Sequence, residues 1–212
     1  MSLNGILFDL DGTLANTLPV CIQAYQATVQ HFCGRTLEAS EIYARFGLND
    51  DGVLEQFIPG QLDKTLPYYL DCYEQFHAQC PLVFPGIDQV FTILKAKGMR
   101  AAIVTGKGSQ SAAISMRILG LTRWVDIIES GFAHKADKPY SIGLVLRRWG
   151  LPPGQAAYVG DAPSDIQAAR QAGLLPVGAA WSKTSLLRND PISQEYITFY
   201  DVDSFIRWIE QS

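Results

Sequence analysis

Gly5-Ile6-Leu7-Phe8-Asp9-Leu10-Asp11-Gly12-Thr13-Leu14 is the stretch that decides how the rest of the chain folds. Gly5 to Phe8 is a short apolar run that stops at a carboxylate, the pattern of a strand buried on both faces. Asp11-Gly12 follows as a turn pair. Two carboxylates one residue apart at a strand end share a site if the chain leaves the strand there. One can then stay ionised as a nucleophile while the other handles protons. Taken alone, the pair is nearly as compatible with a plain turn.

Downstream of this strand the rhythm is helical as far as Leu82. Thr17 can cap a helix running to Cys33 with Gly34 as its stop, and further helices fit Leu37–Phe46, closed by Gly47, then Gly52–Phe57 and Leu66–Gln79. After Pro81 strands and helices alternate. Strands are predicted over Arg100–Thr105, Asp126–Glu129, Ala157–Val159, Leu175–Gly178 and Ile197–Tyr200, with helices between them. Alternation of this kind predicts an α/β fold, a Rossmann-like parallel sheet covered by helices on both faces. Residues 1–15 and 83–212 are expected to form the core, and 16–82 an inserted helical cap.

Two further strand ends and a helix start between them carry polar residues, and ligands of open parallel sheets bind beyond the carboxyl ends of the strands. Thr105-Gly106 offers a hydroxyl and a small residue before a helix start, a cradle suited to phosphate or equally an ordinary turn. Lys138-Pro139 opens a helix, with Pro139 in the first turn. A cation at that positive end is disfavoured by a few tenths of a kcal/mol unless an anion faces it. Asp161 and Asp165 flank the loop after the next strand. Asp161 suits a hard cation such as Mg2+, while Asp165 doubles as a candidate N-cap for the helix that follows.

In this order the four elements resemble the motifs of the haloacid dehalogenase superfamily, over nearly the whole chain. The inserted helices and Ala168-Ala169-Arg170-Gln171-Ala172-Gly173 resemble its phosphoglycolate-phosphatase-like branch. The resemblance implies that Asp9 attacks phosphorus and Asp11 serves as acid and then base. It also implies that Thr105, Gly106 and Lys138 hold the phosphoryl oxygens, that Asp9, the Asp11 carbonyl and Asp161 bind magnesium, and that Asp165 orients Lys138 or a metal-bound water. Asp11 separates the phosphatases from the dehalogenases and phosphonate-cleaving enzymes, which lack a second aspartate. One departure is Asn16-Thr17 where many relatives carry Asp-Ser, a change expected to leave the catalytic groups untouched.

The remaining composition narrows the function class. The chain has 212 residues, a net charge of -4 and 48% hydrophobic residues, sufficient for a core domain with one insertion. No basic stripe points to nucleic acid, and no stretch approaches the roughly 20 apolar residues that span a bilayer. Cys21, Cys33, Cys72 and Cys80 form no Cys-x-x-Cys pair and read as buried thiols of a reducing, cytoplasmic compartment. The expected partner is a small phosphorylated metabolite, with no nucleic acid and no membrane, and the expected state a monomer or homodimer. The cap is acidic, with three cations against eight carboxylates, and Arg45 beside Gly47 is its candidate substrate contact, alternatively a helix C-terminal dipole contact. His31, His77 and His134 are too scattered for a zinc site, and Tyr68, Tyr69, Tyr73 and Phe76 read as cap core. Within this frame the expected activity is hydrolysis of a small phosphomonoester. A sugar phosphomutase and a non-catalytic binding protein of the same fold are the alternatives.

Overall fold

Alternate residues of the central strands face opposite helical layers, and this sets the architecture. The computed structural model describes residues 3–79, 83–190 and 195–212, so the expected cap-to-core junction at Leu82, and Cys80, lie outside the described residues. Among the described residues, six strands form one parallel sheet: β1 (Gly5–Phe8), β2 (Arg100–Val104), β3 (Ile127–Glu129), β4 (Ala156–Gly160), β5 (Leu175–Ala179) and β6 (Ile197–Phe199). Their order is β3-β2-β1-β4-β5-β6. The order reverses between β1 and β4, where Leu7 aligns with Tyr158 and Phe8 with Val159. That is the switch point at which an α/β sheet opens a crevice.

The helices are α1 (Leu18–Cys33), α2 (Ala39–Tyr43), α3 (Asp50–Phe57), α4 (Leu62–His77), α5 (Ile87–Ala96), α6 (Ser109–Ile118), α7 (Lys138–Trp149), α8 (Pro163–Gln171) and α9 (Val202–Gln211). Ile6, Phe8, Ile103, Val159 and Val177 pack with α5 and α9 through Phe91, Phe205 and Ile209. Leu7, Ala102, Val104 and Tyr158 face the other way, onto Ile142, Val145 and Leu146 of α7 and Ala169 of α8. Both faces of the central strands β1 and β4 are therefore dry, as their unbroken apolar runs require.

Helices α1 to α4 bury a cluster of their own, centred on Tyr25, Leu54, Tyr69 and Tyr73. Tyr69 and Tyr73 are thus core residues of this layer, as expected, whereas Tyr68 stacks on His31 at 4.3 Å. The layer meets the sheet layer through α6, where the Tyr73 hydroxyl lies 2.7 Å from Ser115 Oγ.

Several boundaries differ from the sequence-based expectation, each for a local reason. The helix expected over Leu37–Phe46 shortens to α2, because the chain turns at Gly47 (φ 116°) and Phe46 bridges Leu48. Helix α4 spans Leu62–His77 rather than Leu66–Gln79, and the earlier start places Pro67 inside it. Helix α8 starts at Pro163, which suits the first turn, rather than at Ile166. Among the described cysteines only Cys21 is buried; Cys33 is exposed and Cys72 half-buried, so the expectation of buried thiols holds for Cys21 alone.

Candidate active site

Asp9 directly follows β1, and its backbone N–H donates to the Val159 carbonyl at 2.9 Å, so the ladder to β4 fixes where this carboxylate emerges. Asp161 and Asp165 come from the loop and helix after β4. Ligand atoms of Asp9, Asp161 and Asp165 all lie within 4.8 Å of one another, and all three residues are buried. Gly12 makes the crowding possible. Its φ of +78° and the 2.3 Å separation between a hypothetical Cβ and Asp161 Oδ2 leave room for no other residue.

Buried carboxylates this close resist ionising together. Burial, set against Lys138 and added to by Asp165 and Asp11, pushes Asp9 from an ordinary 3.8 up to about 7. Burial, then Asp9 and Asp165, push Asp161 up to about 9. A dense set of hard oxygens that wants a compensating charge fits a divalent cation, with Asp9 and Asp161 as its carboxylate ligands.

Lys138 is the first residue of α7, after Asp137, whose side chain accepts from the Tyr140 N–H at 3.3 Å. Its ammonium donates to Asp9 Oδ1 at 2.9 Å and to Asp165 Oδ1. Burial works against this charge, and Asp165 followed by Asp9 override it, holding Lys138 well above the ordinary lysine range. The anion expected at this helix start is thus supplied by the protein itself. Asp165 is not the N-cap of α8. It is the third helical residue, and its Oδ2 reaches back to accept from the N–H of Ala162 at 3.0 Å. One carboxylate therefore caps a helix and holds a lysine at once.

Asp11 points to the other side, toward the α1–α4 layer. Thr17 donates its hydroxyl to Asp11 Oδ1, and Lys107 Nζ lies 3.5 Å from the same oxygen. This corrects the expectation that Asn16-Thr17 leaves the catalytic groups untouched. It also corrects Thr17 as a helix cap, since its side chain makes no capping bond to α1. Thr105 is 2% exposed and its Oγ1 accepts from the Lys107 N–H at 3.2 Å, which leaves its own proton to donate. Gly106 lines the same cavity. Arg45 does not: it donates to the Glu41 carbonyl at 2.6 Å and lies 4.2 Å over the Phe57 ring.

Sequence reasoning missed Lys107 and Asp50. Lys107 lies two residues past Thr105, with Cys21 Sγ at 3.1 Å and the Tyr73 ring centre at 4.3 Å from its ammonium. Burial opposes its charge and Asp11 restores it, so it stays well above the usual lysine range. Asp50, the first residue of α3, accepts from the hydroxyls of Tyr25, Tyr69 and Ser111 and from the Gly108 N–H. A lysine inside a strand-end loop is a readable signal for the first. Asp50 gave none beyond its charge.

A family model described as haloacid dehalogenase-like hydrolase matches residues 6–179, a span that holds every strand-end group above. The chain belongs to the haloacid dehalogenase-like hydrolase family. This hydrolase is 27% identical over 183 residues to a pyrophosphatase PpaX of Bacillus pumilus, covering 85% of each chain. It is 28% identical to a phosphoglycolate phosphatase of Aquifex aeolicus, over 85% of this chain and 86% of that one. Among solved structures, its fold is similar to CbbY from Rhodobacter sphaeroides, crystallised with phosphate, with a TM-score of 0.77 at 20% identity over 94% and 95% of the two chains. No helix among the hydrolase's described residues is long and apolar enough to cross a membrane.

Proposed function

We propose that this hydrolase is a magnesium-dependent phosphatase that cleaves a small phosphomonoester through an aspartyl-phosphate on Asp9. The observation that carries this is the meeting of Asp9, Asp161, Asp165 and Lys138 at two adjacent strand ends, with Asp11 held apart by Thr17 and Lys107. The names of the relatives, a pyrophosphatase and a phosphoglycolate phosphatase, support the same reaction, transfer of a phosphoryl group to water.

In this mechanism an Asp9 carboxylate oxygen forms the bond to phosphorus as the bond to the leaving oxygen breaks, and Asp11 gives that oxygen a proton. Asp11, now a carboxylate stabilised by the Thr17 hydroxyl and Lys107, takes a proton from water. The resulting hydroxide equivalent attacks phosphorus, which releases inorganic phosphate and restores Asp9. Thr105, the Gly106 N–H and Lys138 hold the phosphoryl oxygens while Asp165 keeps Lys138 in place. Asp9, Asp161 and the Asp11 carbonyl would hold magnesium, which when bound offsets repulsion between the nucleophile and the phosphoryl group. Helices α1 to α4, within residues 16–82, act as a lid over the core of residues 1–15 and 83–212. The proposed setting is the cytoplasm, with a small phosphorylated metabolite as substrate.

Phosphate release from a panel of phosphomonoesters, with and without magnesium, tests this directly. Turnover is expected only with the metal and only with Asp9 intact. Activity retained by Asp9→Asn would remove the nucleophile assignment. Silence toward every ester would favour a binding protein.

A further inference from the structure

The cavity between the strand ends and α1–α4 has a volume of about 750 Å³, in the range that encloses drug-sized ligands rather than a two-carbon acid. Its charged lining is lopsided. Asp9, Asp11, Asp50, Asp137, Asp161 and Asp165 face only two cations, Lys107 and Lys138.

Both cations are already engaged. Lys138 bridges Asp9 and Asp165, and Lys107 lies against Asp11, the Cys21 sulfur and the face of Tyr73. Arg45, on the neighbouring turn, faces away into the Glu41 carbonyl and Phe57. Once a phosphoryl group sits at the strand ends, a second anion on the substrate meets a lining in which carboxylates outnumber cations six to two and both cations are already held. Like charge in a desolvated site is a strong discriminator.

The wall away from the strand ends is of the opposite character. Tyr43 at the end of α2 and Phe46 and Leu48 in the turn after it supply this wall, with Phe132 and Leu186 from the sheet side. Tyr43, Phe46 and Leu186 are 47%, 40% and 67% exposed. They make up half of the six large hydrophobic side chains exposed among the described residues, so the exposed apolar surface is concentrated at this cavity. A fourth, Tyr140, packs against Phe132 with ring centres 6.1 Å apart.

We propose that the leaving group is the alcohol of an apolar, ring-bearing compound that carries no second anionic group. This rests on the phosphatase function proposed above and selects one substrate class within it.

Benzyl phosphate and 4-carboxybenzyl phosphate have the same ester linkage and differ by one distal charge. With magnesium, kcat/KM for benzyl phosphate is expected to exceed that for the carboxylate by roughly tenfold or more, and to exceed those for phosphoglycolate and pyrophosphate. Leu186→Ser, at an exposed position, should raise KM for benzyl phosphate several-fold with little change in kcat, and raise that for phosphoglycolate by clearly less. Equal or faster turnover of the carboxylated ester, of phosphoglycolate or of pyrophosphate would overturn the substrate class while leaving the phosphatase function standing. A Leu186→Ser effect equal on all substrates would also count against it. Phosphate release from none of these compounds would overturn both.

Discussion

Asp50 Oδ2 accepts a hydrogen bond from the backbone N–H of Gly108 at 3.0 Å, across the seam between the inserted helices and the sheet. Gly108 is the N-cap residue of α6, so a side chain of the α1–α4 layer fills the anion position at that helix start. The phosphate cradle proposed after β2 is thereby left to the loop of Thr105 and Gly106, because Asp50 already occupies the helix end. Removing the carboxylate in Asp50→Ala strands two buried tyrosine hydroxyls, Ser111 and the Gly108 N–H. Urea unfolding should show a loss of about 3 kcal/mol, with kcat/KM down about tenfold as the loop loosens. A variant as stable as the parent would mean that the seam contributes nothing.

Thr17 separates two roles by measurement. A capping threonine replaced by a residue without the hydroxyl costs about 1 kcal/mol of stability. Here the hydroxyl serves Asp11 instead, so Thr17→Val should unfold within about 0.5 kcal/mol of the parent while kcat falls about tenfold at little change in KM. The reverse pattern would restore the cap role.

Metal binding should depend on pH with a definite sign. Asp9 at about 7 and Asp161 at about 9 both lie above the ordinary 3.8, so the folded protein without metal holds their protons more tightly than the unfolded chain. The stability they contribute is complete below about pH 3.8 and is lost as pH rises through about 7 and then about 9. A divalent cation must displace those protons, so its affinity should climb over the same window with proton release. Calorimetry with magnesium in buffers of different ionisation enthalpy checks this. An affinity that stays flat from about pH 6 to pH 8.5 would contradict it.

Gly12→Ala should fail twice. The positive φ costs about 1 kcal/mol, and the added methyl collides with Asp161 Oδ2, so the strain should exceed that figure. Melting temperature and magnesium affinity should fall together. A normal affinity in a merely less stable protein would show that Asp161 can move aside at no cost to the site.

Much of this was legible in the sequence because it is local. The apolar run ending at Asp9, the alternation after Pro81, and the order of Thr105, Lys138, Asp161 and Asp165 each follow from neighbours a few residues apart. Asp165 shows where local information fails: its spacing from β4 suggests a cap, and only the start of α8 at Pro163 makes it the residue that reaches back to Ala162 and sideways to Lys138. Thr17 fails in the same way, since a threonine before a helix has two possible acceptors and the sequence offers only one of them.

The sequence by itself determined that a parallel sheet presents carboxylates and a lysine at its strand ends, because strand periodicity and helix signals act within a turn or a strand. The tertiary structure alone decided which charges meet. Lys138 reaches Asp9 across 129 positions of sequence and Asp50 reaches Gly108 across 58, distances that only the strand order and the packing of α1–α4 on α6 can close. The same packing turned Arg45 away from the cavity and Lys107 toward it. Charge is written in the sequence, but its partner is chosen by burial, where each group must find an opposite charge or a hydrogen bond in place of water.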